Sequence, residues 1–366
     1  MCRRCTSRCL LRSRLSSDSV TTFDDIFGQD AAIEFLRQAY RADRLPHGLI
    51  FAGPVGVGKA TTARALGQLF LCEKPKSNAM PCGKCDSCRV FEAGNHPDYH
   101  VITKELIHVH DRAGTSKAVD LSINVIRPEL VAKAAMKPMM NMGKVFVIEQ
   151  AELMSAAAQN AMLKTLEEPA GRAVIILLTD QPSCLLPTVR SRCQLVPFRA
   201  LDESKVRSEL VARGVETDVA TRAAALSEGS LGLALRWIDD GVVDAAMQLS
   251  SLLDELTAGG GAGDLPDWIR KAADAYATKQ LDRDPLGSKD QATRQGLALY
   301  LRLASGQFRR QLQKQVNPED LERTCCAVDA IVQAEEYLDT NVTVALVFQQ
   351  LSIALERVFA RSTAAA

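Results

Sequence analysis

Aromatic residues are scarce in this 366-residue chain, at 5%, and net charge is missing altogether: 44 lysines and arginines balance 44 aspartates and glutamates. A protein that grips a phosphate backbone unaided normally shows a basic excess, so any role on DNA falls to an assembly. Long apolar runs are missing too. The stretch Ala173–Leu178 is only strand-sized, far from the ~20 residues that span a bilayer, and no membrane role is expected. No internal repeat is evident. Cysteine, by contrast, is plentiful. Of the 11 cysteines, four fall within seventeen residues at metal-ligand spacing, which argues against a secreted disulfide framework and for a reducing, cytoplasmic setting.

What remains is the composition of a globular chain, 47% hydrophobic and 24% charged, too long for one ordinary core and sized for two or three domains. Residues 1–20 are expected to be a disordered leader or the product of a misassigned start. The first seventeen residues hold five arginines and no acid, as transit peptides do, but the apolar part near Cys9–Leu11 is too short for a secretory signal. Cys2, Cys5 and Cys9 fall there and are assigned no metal. From 21 to 200, apolar strands (Gly48–Ala52, Tyr99–Thr103, Val145–Glu149, Val174–Thr179, Gln194–Phe198) alternate with helical patterns (Lys59–Leu71, Leu121–Lys133, Ser155–Glu168). That alternation predicts an α/β domain with a largely parallel sheet. A polar loop is expected over 104–118. Ser155 serves as a helix N-cap and Pro169 as a stop. After Ala200 the strands end. A small helical domain over 201–256, a linker at 257–266 (containing AGGGAGDLP) and an all-helical domain at 267–366 complete the expected order.

Cys72, Cys82, Cys85 and Cys88 form C-x9-C-x2-C-x2-C. Four thiolates at such spacing close a tetrahedron around Zn²⁺ and leave no open position, so a structural zinc is expected, stapling a module at 72–88. Lys74, Lys76, Lys84 and Arg89 offer positive charge nearby. A redox C-x-x-C pair or unrelated buried cysteines are the competing readings.

Gly53-Pro54-Val55-Gly56-Val57-Gly58-Lys59 fits the phosphate loop G-x-x-x-x-G-K, between a strand and a helix as that motif requires. Its glycines let backbone N–H groups turn toward phosphate oxygens. The next residue is Ala60, where a hydroxyl normally ligates Mg²⁺. Thr61 does not substitute, because one helical step rotates a side chain by ~100°. The strand VFVIEQAE places Glu149 and Gln150 where an aspartate would hold Mg²⁺ and a glutamate would activate water. Glu149 is one methylene longer than aspartate, and Gln150 cannot accept a proton as a general base, although a glutamine can orient water in some GTPases. Intrinsic ATPase activity is therefore expected to be weak or absent, with residual ATP binding through Lys59 left open.

The order of phosphate loop, four-cysteine insertion, Ala161-Met162-Leu163-Lys164-Thr165-Leu166-Glu167-Glu168-Pro169 and Ser191-Arg192-Cys193 resembles the bacterial DNA polymerase III clamp-loader subunits of the AAA+ class over roughly residues 23–240. The resemblance implies an α/β P-loop (AAA+) domain, a helical lid and an all-α collar. It also implies that Arg192, with Ser191 beside it, reaches in trans into a neighbour's nucleotide site as an arginine finger. Bracing a local turn through a carboxylate is the alternative role for Arg192. Thr179 takes the sensor 1 place. Gly232, in Gly229-Ser230-Leu231-Gly232, stands where active members carry a sensor 2 arginine. With Ala93–Tyr99 and the absence of a Pro-rich tail, this resembles the delta-prime type more than the ATP-hydrolysing gamma/tau type. The implied partners are gamma/tau and delta subunits in a hetero-pentamer, the sliding clamp, and primed DNA through the complex. A true ATPase motor and a zinc-stabilised binding module are the rival functions.

Overall fold

A computed structural model describes residues 22–110, 120–140, 142–258, 265–283, 288–312, 317–338 and 343–359. The leader, most of the expected linker and the end of the 104–118 loop lie outside the described residues. The chain divides into two units, one of residues 1–216 with 227–233 and one of 217–226 with 234–366.

The first unit is built on a five-stranded, wholly parallel sheet in the order β2-β3-β4-β1-β5, where β1 is Gly48–Ala52, β2 Tyr99–Ile102, β3 Lys144–Ile148, β4 Ala173–Thr179 and β5 Gln194–Pro197. Helices α1 (Asp30–Arg41), α2 (Lys59–Leu71), α3 (Asp86–Glu92) and α4 (Ala156–Glu167) accompany it. Strands β1, β3 and β4 are buried throughout, which explains why they read as continuous apolar runs rather than alternating ones. Their alternate residues feed two separate cores. Leu49, Phe51, Val147 and Ile176 pack with α1 and α2 residues such as Leu36 and Leu66. Ile50, Phe146, Ile148 and Ile175 pack with Leu121, Ile126 and Met162. Pro197 is tolerated because β5 is an edge strand.

Three local features depart from the sequence expectation. The expected helix over 121–133 runs instead from Ile123 to Ala135, with a π-helical stretch at Arg127–Ala132. Pro128 has no N–H to give the ordinary ladder there. The expected loop after Thr103 begins with short helical turns, Lys104–Leu106 and Ile107–His110, anchored by the buried Ile107. Helix α3 sits inside the cysteine segment, where no element is expected. The N-cap of α4 is Ser155, whose Oγ accepts the Ala158 N–H at 3.2 Å. Helix α5 (Glu203–Ala212) follows β5.

The second unit is helical: α6 (Thr217–Leu226), most of α7 (Leu231–Asp240), α8 (Val242–Thr257), α9 (Leu265–Arg283), α10 (Lys289–Leu312), α11 (Pro318–Leu338) and α12 (Val344–Phe359). Leu297, Leu301, Val347 and Leu351 are buried, so the apolar stripes of α10 and α12 form the core of their own unit. Gly296 fits where a Cβ would stand 2.9 Å from the Ala273 backbone, and this lets α9 and α10 approach closely. No helix among the described residues is long and apolar enough to cross a membrane.

Candidate functional site

The parallel sheet brings the phosphate-loop residues together. In register, Ala52 pairs with Thr179 and Ile148 with Leu177, so the ends of β1, β3 and β4 lie side by side. Gly53 N–H donates to the Thr179 carbonyl at 3.1 Å. The glycines have left-handed backbones where the turn needs them, Gly56 at φ +77° and Gly58 at φ +104°. Gly58 caps α2, and Lys59 opens it.

Lys59 folds back on its own loop. Its Nζ donates to the Gly53 carbonyl and, at 2.7 Å, to the Pro54 carbonyl. Burial lowers the lysine's pKa, and the Asp180 and Glu152 carboxylates oppose that shift. Ala60 and Thr61 are both exposed at the mouth of the loop, whereas Thr62 is buried and its hydroxyl is spent on the Gly58 carbonyl at 2.8 Å. No hydroxyl therefore stands at the position that Ala60 occupies. Burial, and secondarily Glu105, raises the Glu149 carboxyl above its usual range. Gln150 turns left-handed at φ +50°. The buried Thr179 accepts the Gln181 N–H on its hydroxyl at 3.0 Å.

The segment 229–232 lies directly on this loop. Ser230 Oγ donates to the Val55 carbonyl at 2.7 Å, and Gly232 N–H donates to the Gly56 carbonyl at 2.9 Å. A Cβ on Gly232 would stand 2.7 Å from the Gly56 carbonyl oxygen. The glycine at 232 is thus required by a backbone approach, a reason the sequence motif alone does not disclose.

At the other end of α2, Cys72 is the C-cap, and the sulfurs of Cys72, Cys82, Cys85 and Cys88 all lie within 4.8 Å of one another. Cys82 Sγ accepts N–H bonds from Lys84 (3.4 Å) and Cys85 (3.3 Å); Cys72 Sγ accepts from Cys82 (3.3 Å) and Cys85 Sγ from Cys88 (3.4 Å). Donors aimed at sulfur favour thiolates. Those bonds pull Cys82 down to about 6, while burial pushes Cys72 and Cys88 up. This donor set can hold a metal ion by closing a tetrahedron. Arg89 pairs with Asp86.

A buried brace ties the cysteine segment to the sheet. Ser87 Oγ donates to the Leu71 carbonyl at 2.6 Å and lies 3.1 Å from His96 Nε2, and His96 Nδ1 accepts the Asp98 N–H at 3.1 Å. Nδ1 is therefore the bare nitrogen and Nε2 carries the proton toward Ser87. That is opposite to what a nucleophile–base pair needs, so His96 is a turn residue and no catalytic base. The pattern His96-Pro97-Asp98 in the sequence signals the turn but not its partner, Ser87.

Arg192 lies at the end of the segment 187–193. Its Nε and Nη2 bond Glu167 Oε1, the former at 2.5 Å, and its Nη1 donates to the Thr188 carbonyl at 3.0 Å and to Ser191 Oγ at 3.4 Å. The local carboxylate that the sequence leaves open as a partner is Glu167. Ser191 Oγ also donates to the Thr188 carbonyl, at 3.2 Å. The neighbouring Cys193 is packed on β1, and burial pushes its thiol up to about 12. Gln159, a residue the sequence reading missed, ties α4 to this segment. It is buried, takes the Leu186 N–H at 2.7 Å, and donates to the Met154 and Cys184 carbonyls at 3.1 and 3.3 Å. A polar side chain on the core face of an Ala-rich helix is the one signal that points to it.

Residues 28–202 match the family described as "DNA polymerase III, delta subunit". The chain is 32% identical over 192 residues to the DNA polymerase III subunit delta' of Bacillus subtilis, covering 52% of this chain and 54% of that protein. It is 37% identical over 147 residues to the delta' subunit of Pseudomonas aeruginosa, covering 40% and 41%. It is also 33% identical over 236 residues to the tau subunit of Escherichia coli, covering 63% of this chain and 34% of that one. The chain thus spans about half or less of the length of these relatives. Over residues 28–202, which hold the G-x-x-x-x-G-K loop and the cysteine cluster, the chain is similar to the delta' and tau/gamma subunits of bacterial DNA polymerase III.

Proposed function

We propose that the chain is a delta-prime-type clamp-loader subunit, a stator that hydrolyses little or no ATP itself and presents Arg192 to the nucleotide site of a neighbouring subunit. One observation carries this reading. The nucleotide end of the sheet retains its glycine frame, yet Ala60 has no hydroxyl and that of Thr62 is bonded to the Gly58 carbonyl, and Gln150, which has no basic carboxylate, follows a Glu149 whose carboxyl is raised by burial. P-loop phosphoryl transfer uses a loop hydroxyl on the magnesium ion, which Ala60 cannot supply, and a glutamine such as Gln150 can orient water but cannot take its proton. In this reading Gly53, Gly56, Gly58, Lys59 and Thr179 are the remains of a nucleotide site. Cys72, Cys82, Cys85 and Cys88 hold a structural Zn²⁺, and the helical second unit joins partner subunits in the pentameric collar. The assembly would work in the bacterial cytoplasm, opening a sliding clamp and placing it on primed DNA.

A gamma/tau-type ATPase is the second reading. It is favoured by the intact Gly53–Lys59 frame and by relatives of the tau type at similar identity. Reconstitution separates the two. Arg192→Ala is expected to lower DNA-stimulated ATP hydrolysis of the whole complex by about two- to tenfold, since sites that do not use this arginine keep turning over. An isolated chain that hydrolyses ATP in a Lys59-dependent way would establish the gamma/tau reading in its place.

A further inference from the structure

Glu167 and Arg192 are 25 positions apart, yet the fold forces them together. Leu166 and Cys193, their chain neighbours, both pack onto β1 at Gly48, where an added Cβ would stand 2.7 Å from Cys193 Sγ and 3.1 Å from Leu166 Cδ2. The buried Gln159 fastens the same two segments a few residues upstream. Carboxylate and guanidinium thus ride on one braced corner of the first unit, and neither depends on a mobile loop for its place.

The carboxylate stands where helix electrostatics oppose it. Glu167 is the last residue of α4, and the C-terminal end of a helix carries partial negative charge that favours cations. Arg192 supplies the compensating charge. Both side chains remain accessible, at 36% for Arg192 and 46% for Glu167, so the pair is weak in water and exchanges readily.

The guanidinium has five N–H donors. Nε and one N–H of Nη2 are on Glu167, and Nη1 serves Thr188 and Ser191. Only one Nη2 donor is left outward. A forked grip on phosphate takes two parallel N–H groups. Arg192 cannot present them without giving up an edge it already uses, and the Glu167 edge is the charged competitor of phosphate.

We propose that Glu167 is a positioning residue. It holds Arg192 in reserve, and it must release the guanidinium before the arginine can grip the terminal phosphate of a nucleoside triphosphate bound by a neighbouring subunit. The inference rests on the in-trans role of Arg192 proposed above and adds the residue that regulates it. Neutralising Glu167 then favours the engaged arginine.

The test uses the clamp loader reconstituted from this chain and its cognate partners. Glu167→Gln should raise ATP hydrolysis at subsaturating ATP without DNA by about two- to fivefold, the range that a half-exposed ion pair allows. It should do so by lowering the apparent KM, with the rate at saturating ATP on primed DNA changed by less than about twofold. The increase should vanish in the Arg192→Ala background, and Glu168→Gln, one residue away and exposed, should show none. An Arg192→Ala complex with an unchanged rate overturns the in-trans role itself. If Arg192→Ala slows the complex but Glu167→Gln fails to raise the rate, or raises it equally in the double variant or in Glu168→Gln, the role of Arg192 stands and the reserve role of Glu167 is wrong.

Discussion

Helix α2 runs from Lys59 to Leu71, and its two ends have kept different things. Its N-terminal end keeps the left-handed glycine turn of the G-x-x-x-x-G-K pattern, with Ala60 where that pattern normally carries a hydroxyl. Its C-terminal end has four sulfurs within 4.8 Å of one another, a set that could hold a metal ion, with N–H donors on three of them. The difference separates chemistry from architecture. A glycine turn and a helix start shape the fold whether or not a nucleotide is present. A metal knuckle that loses one ligand loses its shape. The cysteine end carries a full set of four sulfur donors, whereas the glycine end has Ala60 in place of a hydroxyl.

The sharpest way to break this contrast is at the complete end. Cys88 is buried, and Cys88→Ser should abolish stoichiometric zinc and cost about 4 kcal/mol or more, because metal binding is folding energy for such a module. The loss should be local. Amide exchange should accelerate over residues 72–98, through the brace of Ser87, His96 and Asp98, while the β1–β4 ladder stays protected. A strong chelator should reproduce both effects in the unaltered chain. Zinc-free protein with an unchanged melting profile would make the cysteines incidental.

A smaller effect is expected where the 229–232 segment meets the phosphate loop. Gly232→Ala gains ~1 kcal/mol in helix propensity. It also drives a methyl to 2.7 Å from the Gly56 carbonyl oxygen, a backbone collision that costs ~1–3 kcal/mol. The collision should win, for a net loss of about 1 kcal/mol in denaturant unfolding. Gly232→Arg should do worse, because a longer side chain must find room beside the same Gly56 backbone that a bare Cβ already meets at 2.7 Å. A stabilised Gly232→Ala would show that the contact opens in solution.

The chain announces its sheet clearly. Buried parallel strands are short apolar runs, and β1 and α2 fall on the expected residues because Gly53 and Gly58 punctuate them on either side. The cysteine cluster is legible for a similar reason: its ligands are close in sequence. Contacts that depend on distant parts of the chain are not legible. The reach of Gly232 to Gly56, of Glu167 to Arg192 and of Ser87 to His96 follows from the way elements stack, and each partner alone resembles an ordinary surface or turn residue. The helix α3 was hidden for another reason. Cys85 serves as its N-cap, accepting the Cys88 N–H on sulfur, in a segment whose cysteines already had an explanation.

The smallest effect belongs to Lys59, and it tests the incomplete end most directly. Its ammonium is held by two neutral carbonyls of its own loop, and burial has lowered its pKa, with Asp180 and Glu152 only partly offsetting that. Lys59→Ala removes those two hydrogen bonds and the desolvation cost together, so the change in stability should stay within about 1 kcal/mol. The pH dependence gives the sign. With its folded pKa below 10.5, the lysine binds its proton more tightly in the unfolded chain. Stability therefore rises as pH climbs from the lowered folded value toward 10.5, and the variant should lack that increment. Turnover of the reconstituted complex should change by less than about twofold. A complex that stalls on Lys59→Ala would mean that this loop still grips a nucleotide, and the two ends of α2 would be alike after all.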